Sequence, residues 1–107
     1  MIVTPASSVA GYRIARTIGL ARGNTIRARH LGRDILAVFK NVVGGEIEEY
    51  TKMMGESREQ AVGRLIADAE SQGANAVVDL RFGTSYVMGS AAEILAYGTA
   101  VVLEKIE

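Results

Sequence analysis

The residues best suited to chemistry lie in the first half of the chain. His30 is the only histidine, with Asp34, Glu46, Glu48 and Glu49 following it within twenty residues. An imidazole and carboxylates are the donors of a divalent-cation site, and His30, Glu46 and Glu49 are the candidate ligands for one. Their spacing matches no established ligand motif, and oxygen donors without Cys or several His hold soft metals weakly. The simpler reading is a solvated or hydrogen-bonded His30, with acidic residues that favour the positive end of a helix dipole by about 0.3–1 kcal/mol each.

Arg22, Arg27, Arg29 and Arg33 form a basic cluster that could take phosphate or nucleic acid. The formal net charge is zero, there is no Trp, and aromatic residues make up 6% of the chain, so bulk attraction to a polyanion is not expected. Pairing between subunits, or a solvated face, accounts for the cluster more simply. Gly44-Gly45 ahead of a helix could cradle an anion, but a helix break explains the pair equally well. The serines share one histidine and none sits in a nucleophile elbow, so a non-enzymatic role is expected. An active site assembled from Arg and Glu across a subunit boundary is the enzymatic alternative, and a nucleic-acid surface on Arg22–Arg33 is another.

Length and composition bound these readings. A chain of 107 residues, 49% hydrophobic and 22% charged, is expected to be a single soluble domain over residues 1–107. The chain has no cysteine, which removes disulfides and thiolate sites and fits a reducing cytoplasm, the compartment expected here. The N-terminus has no signal-peptide pattern, and no stretch reaches the roughly 20 apolar residues of a membrane-spanning helix. Residues 1–45 carry seven basic side chains against one acid, whereas residues 46–107 carry five against eleven. This asymmetry is neutralised within one compact domain or used between neighbouring subunits.

These residues need elements to position them. Residues 1–10 read as a short lead-in, with Pro5 and Ala6-Ser7-Ser8 forming a turn. Tyr12–Arg22 alternates as a strand. Tyr12, Ile14, Ile18 and Leu20 lie on one face with Arg16 as an exception, and small residues including Ala15, Gly19 and Ala21 lie on the other. The run from Gly23 to Gly32 reads as a loop with a short extended piece. Asp34 caps a helix through Val43, Glu46–Met54 forms a second helix ended by Gly55, and Ser57 with Gln60 makes a capping box for a third. The third helix carries an apolar stripe of Val62, Leu65, Ile66 and Ala69 and is closed by Gly73. Ala76–Phe82 is a β-branched strand, Gly83–Ser90 a polar connection, and Ala92–Lys105 a last strand apolar on both faces, with a bulge expected at Gly98.

Several segments together resemble the YbjQ-like family of small bacterial and archaeal proteins, labelled "putative heavy-metal-binding". They are Gly11-Tyr12-Arg13-Ile14, Gly19-Leu20-Ala21-Arg22-Gly23, Lys40 through Ile47 with Tyr50, Arg58 with Ala61, Gly73 through Val78 with Arg81-Phe82, and Tyr97 through Val101. The resemblance implies an α+β fold: a two-layer β-α-β-β unit similar to a dodecin subunit, with a small antiparallel sheet and helices on one face. It also implies a ring-forming homopentamer. The resemblance names no catalytic residue. The expectation is therefore a homo-oligomer that binds a divalent metal ion or a small ligand between its subunits, with itself as partner and no membrane association.

Overall fold

The computed structural model describes residues 1–28, 48–87 and 91–107. Four strands and one helix are present among them: β1 (Ile2–Val3), β2 (Tyr12–Ala28), α1 (Glu48–Ser71), β3 (Ala76–Val87) and β4 (Ala91–Lys105). The architecture is α+β, with a sheet of order β1-β3-β4-β2. The sheet is mixed rather than purely antiparallel, because β1 pairs parallel to β3 through Ile2–Ala76 and Val3–Val77. The helix expected from Asp34 lies outside the described residues, as does His30.

The two helices expected on either side of Gly55 are a single 24-residue helix. One glycine costs a helix about 0.5–1 kcal/mol relative to alanine, too little to break a segment that packs on both sides of it. Met53, Ser57, Ala61, Leu65 and Ala69 recur every four residues and are all buried, so the contact line passes straight through. Ser57 is therefore not a cap. It is 3% exposed in mid-helix, and its carbonyl accepts a hydrogen bond from Thr25 Oγ1 at 3.2 Å. Leu65 and Ala69 lie at the centre of the buried stripe as expected, while Val62 and Ile66 sit half-buried at its side and Ala61 takes their place. The helix ends at Gly73, whose φ is +86°. The Ala74 N–H donates to the Ala69 carbonyl and the Gly73 N–H to that of Glu70, the paired bonds of a Schellman motif.

β2 runs six residues beyond Arg22, to Ala28, where a loop with a short extended piece is expected. Its strict alternation is broken by two register shifts against β4, between Ile14 and Arg16 and between Thr17 and Gly19. A bulge moves the residues beyond it to the other face. Arg16 therefore pairs with Val102 on the helix side, which removes it from the face of Tyr12 and Ile14, and Ile18 turns toward the helix core. The bulge expected at Gly98 is instead in β3, between Val78 and Arg81, where Asp79 has a φ of +55°. β3 itself continues to Val87 rather than ending at Phe82, because Gly83, Thr84 and Ser85 keep the ladder with Leu95, Ile94 and Glu93.

Two apolar clusters fill the layers. On the helix side Ala21, Ala61, Leu65, Ala69, Val77, Ile94, Ala96 and Ala100 form the main core. On the other face Ala76, Val78, Val101 and Leu103 are covered by Ile2, Val9 and Tyr12 of the chain's own N-terminal segment. One end of the outer face of β4, the strand apolar on both faces, is thus closed internally. Asn75 fastens the same end. Its side chain donates to the Leu103 carbonyl at 3.0 Å and accepts the Leu103 N–H at 2.7 Å.

Candidate functional site

The rest of the outer face is open among the described residues. Strand register places Tyr97 between Arg22 and Arg81, and Leu95 between Asn24 and Gly83. Leu20, Arg22, Asn24, Glu93, Leu95 and Tyr97 line a shallow concavity of about 530 Å3. Leu20 is 59% exposed and Tyr97 38%. The polar end of the concavity is ordered: Asn24 Nδ2 donates to Glu93 Oε2 at 3.2 Å, and Ser85 Oγ donates to Glu93 Oε1 at 3.1 Å. Both donors are neutral, so they fix the carboxylate in place without neutralising its charge. The site therefore offers an anchored anion at one end, the Arg22 guanidinium at the other, and leucine and tyrosine surface between them.

The backbone beneath this site is held by the helix. β2 is an edge strand whose outward backbone groups need partners. Gln72 Nε2 donates to the Leu20 carbonyl at 3.1 Å, Asp68 Oδ2 accepts the Arg22 N–H at 3.0 Å, and Arg64 Nη1 donates to the Asn24 carbonyl at 2.7 Å. The match is geometric. Four helical residues rise about 6.0 Å and two strand residues about 6.6 Å, so residues 64, 68 and 72 meet residues 24, 22 and 20 in step. The i, i+4 polar spacing of Arg64, Asp68 and Gln72 was present in the sequence, but it reads there as a solvated helix face.

The residues singled out from sequence do not converge among those described. His30 and Glu46 lie outside the described residues, and Glu49 is placed only as part of the first turn of α1. Among the described residues no group of three His, Asp or Glu side chains could hold a metal ion. Of the arginine cluster, Arg22 has its side chain placed, exposed on the outer face; Arg29 and Arg33 lie outside the described residues. Asn24, Ser85, Glu93 and Tyr97 were not singled out from sequence, since only the strand register reveals that they share a face. No helix among the described residues is long and apolar enough to cross a membrane.

Among the described residues a mixed four-stranded sheet, crossed by a long helix, defines a small α+β protein. Residues 1–104 match the YbjQ family, described as "putative heavy-metal-binding", and the chain belongs to that family. It is 54% identical over 104 residues to a UPF0145 protein of Dehalococcoides mccartyi, a match covering 97% of this chain and 100% of that one. It is 56% identical over 101 residues to a UPF0145 protein of Methanosarcina acetivorans, covering 94% and 95%. A UPF0145 protein of Pyrococcus abyssi is 55% identical over 107 residues, covering 100% and 94%. Among solved structures, a DUF74-family protein of unknown function from Pediococcus pentosaceus superimposes with a TM-score of 0.68 at 16% identity, covering 97% of this chain and 98% of that one. At that identity the likeness speaks to fold alone.

Proposed function

We propose that this chain works as a non-enzymatic homo-oligomer, a closed ring of five subunits, that binds a metal ion or small ligand between its subunits. The observation that carries this reading is the open outer face. Leu20, Leu95 and Tyr97 leave apolar surface in water around an ordered Glu93, and a second copy laid over them would turn a shallow concavity into an enclosed one. The shape supports it: the radius of gyration is 17.4 Å, against about 13 Å for a compact domain of this length. The number five is taken from the family resemblance, and heterologous contacts that repeat around a ring suit it. A cation between subunits would draw carboxylates from more than one copy; a small organic ligand would use the anchored Glu93 and the Arg22 guanidinium of the concavity.

Native mass spectrometry of tag-free protein tests both parts together. The expected result is a species of several times the 11.4 kDa chain mass that retains a bound ion or small molecule. A monomer at low micromolar concentration overturns the assembly, and a ligand-free oligomer under mild conditions overturns the binding role.

A further inference from the structure

The open outer face carries its charges at two separate places. At one end Tyr97 stands between Arg22 and Arg81. Arg81 Nη1 donates to the Pro5 carbonyl at 2.9 Å and to the Leu80 carbonyl at 2.8 Å, so that guanidinium is engaged by the chain's own backbone. The Arg22 guanidinium is exposed, with no ion pair or hydrogen bond among the described residues. At the other end Glu93 is held by Asn24 and Ser85. Glu93 and Tyr97 are four residues apart on β4, about 13 Å along the strand. The fixed carboxylate and the free guanidinium do not reach each other, and the ammonium and carboxylate on one amino-acid α-carbon are too close together to bridge them. A ligand that uses both ends must be long.

Each part of the concavity narrows the chemistry of that ligand. A carboxylate has about four acceptor positions. Asn24 occupies one on Oε2 and Ser85 one on Oε1, which leaves a free position on each oxygen. Two acceptors side by side suit two parallel N–H donors on one rigid group. The Tyr97 ring and Leu95 offer a platform for a flat ring, as aromatic side chains do for nucleobases. Gly83 lies beside Leu95 on the same face, and a Cβ there would meet nothing within 4 Å, so the β3 side of the platform is open. Arg22, with the charge of Arg81 across the strand, suits a phosphate, which guanidinium groups grip with paired hydrogen bonds.

We infer that this concavity binds a guanine mononucleotide, with the base N1–H and N2–H donating to Glu93, the ring over Leu95 and against Tyr97, and the phosphate at Arg22. This rests on the small-ligand part of the proposed function and names the class of ligand. A mononucleotide has the required length between base edge and phosphate. Guanine is selected over adenine because adenine presents one amino group beside a ring-nitrogen lone pair at that edge. An acceptor would then face the second carboxylate oxygen, which is worse than a bond merely missing. A single nucleotide is favoured over a nucleic-acid chain because the formal net charge is zero and gives no bulk attraction to a polyanion. The volume of about 530 Å3 lies within the range of small-molecule sites.

Isothermal titration of tag-free protein with guanosine 5′-monophosphate (GMP), adenosine 5′-monophosphate (AMP) and guanosine tests the assignment. GMP should bind, and AMP should bind about tenfold or more weakly. Glu93→Gln keeps an oxygen but replaces the other acceptor by a donor, and should abolish the preference for GMP over AMP. Arg22→Gln should weaken GMP and AMP alike and leave guanosine unchanged. Gly83→Val fills the open space beside Leu95 without meeting other atoms and should remove binding of all three. Circular dichroism confirms that each variant is folded. Equal binding of GMP and AMP, or a preference that survives Glu93→Gln, would overturn the inference. A guanine-rich oligoribonucleotide that binds far more tightly than GMP through the same residues would replace it with a nucleic-acid surface. Absence of GMP binding overturns it too, and native mass spectrometry of the same sample then separates two cases. An oligomer that retains a different small molecule leaves the small-ligand reading standing, whereas a ligand-free oligomer removes both. A monomer that binds GMP with these dependences removes the assembly and keeps the inference.

Discussion

The carboxylate of Asp68 accepts the backbone N–H of Arg22 at 3.0 Å, so a helix side chain does the work of a missing neighbouring strand. Gln72 and Arg64 do the same for the carbonyls on either side. Asp68→Ala should lower stability by about 0.5–1.5 kcal/mol, the net value of one such bond. Asp68→Asn keeps an acceptor oxygen in place and should lie close to wild type. Urea denaturation midpoints separate the two, and equal losses for both variants would show that the charge rather than the acceptor matters.

Gly23 and Leu65 mark where helix and sheet touch most closely. A methyl group at Gly23 would lie 2.2 Å from the Leu65 nitrogen and 2.3 Å from the Ala61 carbonyl oxygen, both backbone atoms that cannot swing aside. Gly23→Ala must therefore lift the helix from β2, at a cost of about 1–3 kcal/mol or more. Gly63, exposed on the opposite side of the helix, would meet nothing within 4 Å, and Gly63→Ala should stabilise by about 0.4–1 kcal/mol through helix propensity and a less flexible unfolded chain. Thermal melts of the two variants should move in opposite directions.

What could be read from the sequence follows the range of the forces involved. The Gly73 stop, the buried Leu65 and Ala69 and the last strand were legible because each depends on residues within a few positions. Of the small residues read on one face of β2, Ala21 lies against the chain's own helix, and Gly23 beyond it makes the same close approach. β1 was missed because two residues carry no period, and only the Val77 region of β3 makes them a strand. The stretch after Gly23, which reads as a loop with a short extended piece, continues β2 to Ala28 for the same reason: Asn24, Thr25 and Ile26 are held by Leu95, Ile94 and Glu93 on β4, about seventy residues away. The Glu93 site was hidden for a further reason. Asn24, Ser85 and Glu93 are ordinary polar residues until register sets them side by side.

Leu65 is fully buried at the centre of the helix contact, and Ile66 beside it is half-buried. Leu65→Ala should cost about 2–5 kcal/mol, as a cavity-forming change in a packed core does. Ile66→Ala should cost distinctly less. Equal losses in denaturant unfolding would mean that the helix presents Ile66, not Ala61, to the sheet.

Zinc and copper binding can be bounded from donor count. The chain has one histidine and no cysteine, so any site must be completed by carboxylates, carbonyls or water, which suit hard cations better than soft ones. Among the described residues no three candidate ligands converge. Even a ring brings only one imidazole per subunit to a shared site. Isothermal titration of tag-free protein with zinc and with copper should therefore show no submicromolar site. Magnesium or calcium titrated against the same sample serves as the comparison for oxygen donors. Submicromolar zinc or copper binding that disappears in His30→Ala would overturn this bound and would make His30 the centre of a real soft-metal site, with its remaining ligands drawn from neighbouring copies.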